Sequence, residues 1–135
     1  YYYIYIHIYT YRNNMAAKTM SENALVAVIG DEDIVTGFLL AGCGQKDGKK
    51  KNENFIVVDN KTPITKIEQA FRTFTTRNDI AIVLISQKIA DEIRPMIDEY
   101  AQVIPTILEI PSKDHPYDPS KDSVMLKVKR MTGAD

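Results

Sequence analysis

Four short runs of aliphatic residues divide the chain: LVAVI at 25–29, NFIVVD at 54–59, IAIVLI at 80–85 and TILEI at 106–110. Runs of five or six residues with little polar alternation have the pattern of strands buried on both faces, as in a parallel sheet. Between them the period becomes helical. Asp33 stands ready to cap a helix carrying Ile34, Phe38 and Ala41, stopped by Gly42 and Gly44. Thr65 and Glu68 have the spacing of a capping box, with Ile67, Phe71 and Phe74 on one face of the helix they would start. Ser86 is placed to cap a helix over 87–93, and Pro95 predicts a break near Arg94 with a new turn beginning there. Strands alternating with helices at this spacing predict βαβ units with right-handed crossovers. The expected fold is α/β: a four-stranded parallel open sheet flanked by helices, of Rossmann-like or receiver-like type.

The two ends of the chain depart from that rhythm. Pro111, Pro116 and Pro119 keep 112–121 extended or turned, and Asp118-Pro119 predicts a last helix running to about Met131. Val124, Val128 and Met131 share one face of it, and Leu126 lies opposite among Lys127, Lys129 and Arg130. No strand follows, so this helix closes no crossover; docking on its own sheet and docking on a partner are equally open. The expectation is that one side docks at home while the other meets an acidic neighbour. The expected contact residues are Pro111, Ser112, Lys113, His115, Pro116 and Tyr117, with Val124, Leu126, Lys127 and Arg130. The prolines lower the cost of ordering the segment, and Tyr117 is an aromatic anchor of the kind found at binding hot spots. At the other end, YYYIYIHIYTY at 1–11 holds six of the eight tyrosines and no charge. It lacks the basic start and small-residue cleavage site of a secretory signal. The expected organisation is a non-native or disordered leader over 1–20, read ahead of a start at Met15 or Met20. A sheet domain follows over 21–110, then a Pro-rich linker and C-terminal helix over 111–135.

Bulk properties narrow the partners. At 135 residues, 44% apolar and 26% charged, the chain suits one globular domain. With 17 basic and 18 acidic side chains it has a formal net charge of -1, without the positive excess that nucleic acid or an anionic membrane would call for. No apolar run approaches the ~20 residues of a membrane helix. Cys43, the single cysteine, allows no intrachain disulfide and fits a reducing compartment.

Candidate chemistry lies beyond the carboxyl ends of the strands, where open parallel sheets bind ligands. Those ends carry Asp31, Glu32 and Asp33; Asp59 and Asn60; Ser86 and Gln87; and Pro111, Ser112 and Lys113. The acidic trio resembles the Mg²⁺-binding acids of response-regulator receivers, but Ser86 stands where a receiver needs its phospho-accepting aspartate. Helix capping and favourable charge at a helix N-terminus account for the trio more simply. The GCGQKDGKK stretch at 42–50 lacks the GxxxxGK[ST] spacing and precedes a strand, which reads as a solvated loop. His115 is the only histidine outside 1–20, too few for a metal site or a triad. Cys43 sits in a Gly-Cys-Gly turn and reads as structural. No catalytic residue, metal or cofactor is expected.

Particular stretches carry a family likeness. ALVAVIGDEDIVTGFLLAG at 24–42, NFIVVD at 54–59, DIAIVLISQKIADEIR at 79–94 and above all ILEIPSKDHPYDPSKDSV at 107–124 resemble the F subunit of the eukaryotic vacuolar-type proton ATPase. The resemblance spans about residues 24–131; Cys43, where an aliphatic residue would be expected, and the lysine-rich stretch 46–52 depart from it. It implies a non-catalytic rotor subunit of the central stalk, clasping the coiled-coil shaft made by the D subunit within the ATP-hydrolysing sector. It also implies a cytosolic position, peripheral to the vacuolar or endomembrane surface and without membrane insertion. The competing reading is a degenerate receiver-like binding module that has lost its acceptor aspartate.

Overall fold

A computed structural model of the chain describes residues 24–44, 53–114 and 116–133. The expected leader over 1–20, most of the glycine- and lysine-rich loop and His115 lie outside the described residues. The aliphatic runs form β1 (Leu25–Gly30), β2 (Phe55–Val57), β3 (Ile80–Ser86) and β4 (Thr106–Ile110), all parallel, in the order β2-β1-β3-β4. Between and after them lie α1 (Glu32–Leu40), α2 (Ile64–Thr76), α3 (Gln87–Glu92), α4 (Arg94–Glu99) and α5 (Ser123–Thr132). This is the expected α/β class.

Strand order decides which face each helix covers. The step from β1 to β2 runs toward one edge, whereas β2 to β3 and β3 to β4 run toward the other. Right-handed crossovers then place α1 on one face and α2, α3 and α4 on the opposite one. The packing agrees: α1 lies on β1 and β2, α2 on β1 and β3, and α3 on β3 and β4. The main core fills the second face. Ala27, Ile29, Val83, Ile85 and Ile107 of the sheet meet Ile67, Phe71 and Phe74 of α2 and Ile89, Ile93 and Ile97 around α3 and α4. On the first face α1 buries Val35 fully, and the β3–β4 half stays open. There Ile82 and Leu84 are half-buried. Leu108, in register with Leu84, is 38% exposed.

Several element boundaries differ from expectation, each for a local reason. Asp31, not Asp33, caps α1, because Asp31 has the extended backbone a cap needs and its carboxylate accepts from the Ile34 amide at 2.9 Å. The Thr65–Glu68 capping box does not form. Pro63 begins α2 from an extended conformation without a side-chain cap, which leaves Thr65 already inside the helix. β2 is shorter than 54–59 because it pairs only with the last three residues of β1. The chain then turns at Asp59, whose carboxylate accepts from Lys61 N at 2.9 Å and from the Thr62 hydroxyl at 2.7 Å. Ser86 occupies the cap position of α3 but its hydroxyl makes no capping bond. The predicted break holds: α4 starts at Arg94 with Pro95 in its first turn. The last helix begins later than Pro119, at Ser123, because residues 118–121 form a turn closed by Asp118 accepting from Ser120 N at 3.0 Å.

Gly30 is required where β1 meets α1. A Cβ there would lie 2.6 Å from Cγ2 of Ile34 and 3.0 Å from its Cβ. Gly30→Ala is expected to destabilise the domain by about 1–3 kcal/mol, read from the urea midpoint. An unchanged midpoint would mean that α1 can shift without cost.

Candidate functional site

The carboxyl end of the sheet is occupied by structural bonds. Asp31 is spent on its cap. Asp33 meets Lys113 at 3.3 Å, both side chains exposed, a contact worth about 0–1 kcal/mol. Asp59 is held below its usual range by the Thr62 hydroxyl and the Lys61 amide. Among the described residues no group of three or more His, Cys, Asp and Glu could hold a metal ion. Cys43 is half-buried and unbonded to sulfur. No helix of the described residues is long and apolar enough to cross a membrane.

Gln87, at the β3 end, ties instead to the C-terminal segment. Its amide donates to the Asp118 carbonyl at 2.9 Å, and its oxygen accepts from the Asp118 amide at 2.7 Å. Beside it, Glu109 points into the domain from β4. Its side chain is 0% exposed, against 21% for Arg94. Arg94 grips the carboxylate with both Nη atoms, at 2.5 and 3.1 Å. Gln87 Nε2 adds a bond at 3.3 Å, and the Ser123 amide and hydroxyl add bonds at 3.3 and 3.4 Å. The hydrogen bond to Glu109, above all, raises the pKa of the Arg94 guanidinium beyond its already high value. Asp122 caps α5 by accepting from Val124 N at 2.8 Å and Met125 N at 3.3 Å. Tyr117 donates its hydroxyl to the same carboxylate, and that bond pushes its phenol up to about 12.

These bonds hold only the start of α5. Ser123 is buried and Val124 half-buried, and every residue from 125 to 132 is exposed. Lys127 reaches back to the Tyr100 carbonyl at 2.9 Å. Along the Val124–Val128–Met131 side only Val124 is half-buried, and Met131 is 86% exposed. Met125, Leu126, Val128 and Met131 face solvent together with Lys127, Lys129 and Arg130, and the helix carries no acidic residue.

The other expected contact residues are divided. Pro111, Lys113, Pro116 and Tyr117 are exposed and Ser112 is half-buried, its hydroxyl shielded and without a hydrogen-bond partner. Tyr117 is engaged by Asp122 at the helix cap, so its hydroxyl serves the fold. Arg130 and Leu126 lie on the exposed helix. Sequence reading placed Gln87 at a strand end and Arg94 at a helix break without their bonds to Glu109 and Asp118, and it did not single out Glu109 or the open strip at Ile82, Leu84 and Leu108. The one available signal was a carboxylate inside an aliphatic strand run, which needs a buried partner.

Residues 26–128 match the family described as the ATP synthase (F/14-kDa) subunit. The chain is 79% identical over 121 residues to the V-type proton ATPase F subunit of Dictyostelium discoideum, covering 90% of this chain and 100% of that one. It is 53% identical over 113 residues to the F subunit of Arabidopsis thaliana, covering 84% and 88%. It is 51% identical over 111 residues to the F subunit of Homo sapiens, covering 82% and 92%. The family match runs from Val26 in β1 to Val128 in α5, and the chain belongs to the family of V-type proton ATPase F subunits.

Proposed function

We propose that the chain is a non-catalytic rotor subunit of the central stalk of a V-type proton ATPase. In this role it binds the coiled-coil shaft, the D subunit, and helps couple ATP hydrolysis to rotation and proton transport. It sits in the cytosol, peripheral to the vacuolar or endomembrane surface. Family membership supports the setting. The observation that carries the binding role is α5, which projects apolar and basic side chains into solvent, its first turn held to the domain and Lys127 tied to the Tyr100 carbonyl. An amphipathic basic helix of this kind suits an acidic groove or helix surface on a neighbour, with the aliphatic residues supplying buried contact and the cations supplying orientation. The open β3–β4 strip adds a second apolar surface, two strands and about 10 Å wide, close to the diameter of one helix. The non-catalytic part of the reading rests on Ser86 at the acceptor position and on the capping and turn duties of the strand-end acids.

The test is affinity for the D subunit. Leu126→Asp combined with Lys129→Glu and Arg130→Glu alters exposed side chains only, so the melting temperature should stay within a few degrees. The dissociation constant should rise at least tenfold, the usual consequence of losing a central apolar contact and reversing charge. Unchanged affinity would remove α5 from the interface.

A further inference from the structure

We propose that Glu109 is the positioning residue of the C-terminal arm: its buried carboxylate clamps the start of α5 to α3 and α4, and so sets the direction in which the helix leaves the domain. The placement is unusual for a strand. In β4 the acid is turned inward beside the core residue Ile107, while aliphatic Leu108 faces the open side. Burying a carboxylate brings no packing gain over a leucine, and buried ion pairs are weak sources of stability. What such a group offers is direction, since each of its bonds has a preferred geometry.

The bonds fit that role. Glu109 gathers Arg94 at the start of α4, Gln87 at the start of α3 and the Ser123 amide at the start of α5. Gln87 then holds the Asp118 backbone from both sides, fixing the segment that leads into α5. Apolar packing cannot supply the same orientation, because α5 is exposed from its third residue, Met125, onward. The helix is thus a lever fixed at its root by polar bonds, with Lys127 adding one bond to the Tyr100 carbonyl farther along.

The experiment separates direction from stability. In the double variant Arg94→Met with Glu109→Leu, the ion pair is replaced by apolar groups, a change that often leaves stability unchanged or raises it. Hydrogen exchange on the full chain, read by peptide, should show residues 118–132 exchanging about tenfold faster or more. Peptides from β1, β3 and α2 should stay at the parent rate, the mark of a local opening. Unchanged exchange in 118–132 would overturn the proposal. If the double variant does not fold, Gln87→Leu decides, since it cuts both Asp118 bonds and the 3.3 Å bond to Glu109 while leaving the Arg94–Glu109 pair in place: faster exchange in 118–132 supports the clamp and parent-rate exchange overturns it. The effect on partner affinity rests on the function proposed above. A loosened arm with undiminished affinity for the D subunit supports the clamp and counts against α5 as the interface.

Discussion

Phe71→Ala is expected to destabilise the domain by about 3–5 kcal/mol, the range for removing a buried aromatic ring from a packed core. Phe71 is 2% exposed. It faces the sheet from the middle of α2, and its ring meets Tyr100 edge-on at 6.1 Å between centroids. Tyr100 in turn donates its hydroxyl to the Pro105 carbonyl at 3.0 Å. The lost ring would therefore loosen two connections at once: α2 against β1 and β3, and the turn that leads from α4 into β4. Natural domains hold only about 5–15 kcal/mol in reserve, so the variant should sit near its unfolding threshold. Its melting temperature should fall by more than about 10 °C. Arg72→Ala, one residue away on the exposed side of the same helix, should change stability by less than about 0.5 kcal/mol. Equal effects of the two substitutions in urea unfolding would mean that the core is not organised around this face of α2.

Arg94→Ala should be the second most damaging single change, through charge in place of volume. It leaves the Glu109 carboxylate, 0% exposed in the parent chain, with only the weaker bonds from Gln87 and Ser123, at 3.3 Å and longer. Breaking a buried pair by removing one partner typically costs about 3–5 kcal/mol. Arg94 is itself a fifth exposed, so water can enter the space it vacates, and a loss near about 3 kcal/mol is expected. The Asp91 contact of Arg94, at 2.6 Å on the surface, adds little because exposed pairs are worth about 0–1 kcal/mol. Asp91→Ala is the control. If denaturant unfolding shows Arg94→Ala and Asp91→Ala to be equally mild, the carboxylate is solvated and the clamp is weaker than its geometry suggests.

What could be read from the chain alone was whatever depends on local periodicity. Four aliphatic runs named four strands, and the 3.6-residue spacing of Ile67, Phe71 and Phe74 named the buried face of α2, which the core confirms. Pro95 named the break between α3 and α4. The segments that carry the family likeness were legible for the same reason, being contiguous. Tertiary structure decided whatever depends on partners distant in sequence. The choice of Asp31 over Asp33 as cap turned on backbone angles that either residue could have adopted. Strand order β2-β1-β3-β4 put three helices on one face and one on the other, leaving Leu108 open. Glu109 looked like an ordinary strand residue because its donors stand 14, 15 and 22 positions away, at Ser123, Arg94 and Gln87. Periodicity specifies which side of an element is apolar, but the pairing of a buried charge is settled only when the folded chain brings its partners within hydrogen-bonding distance.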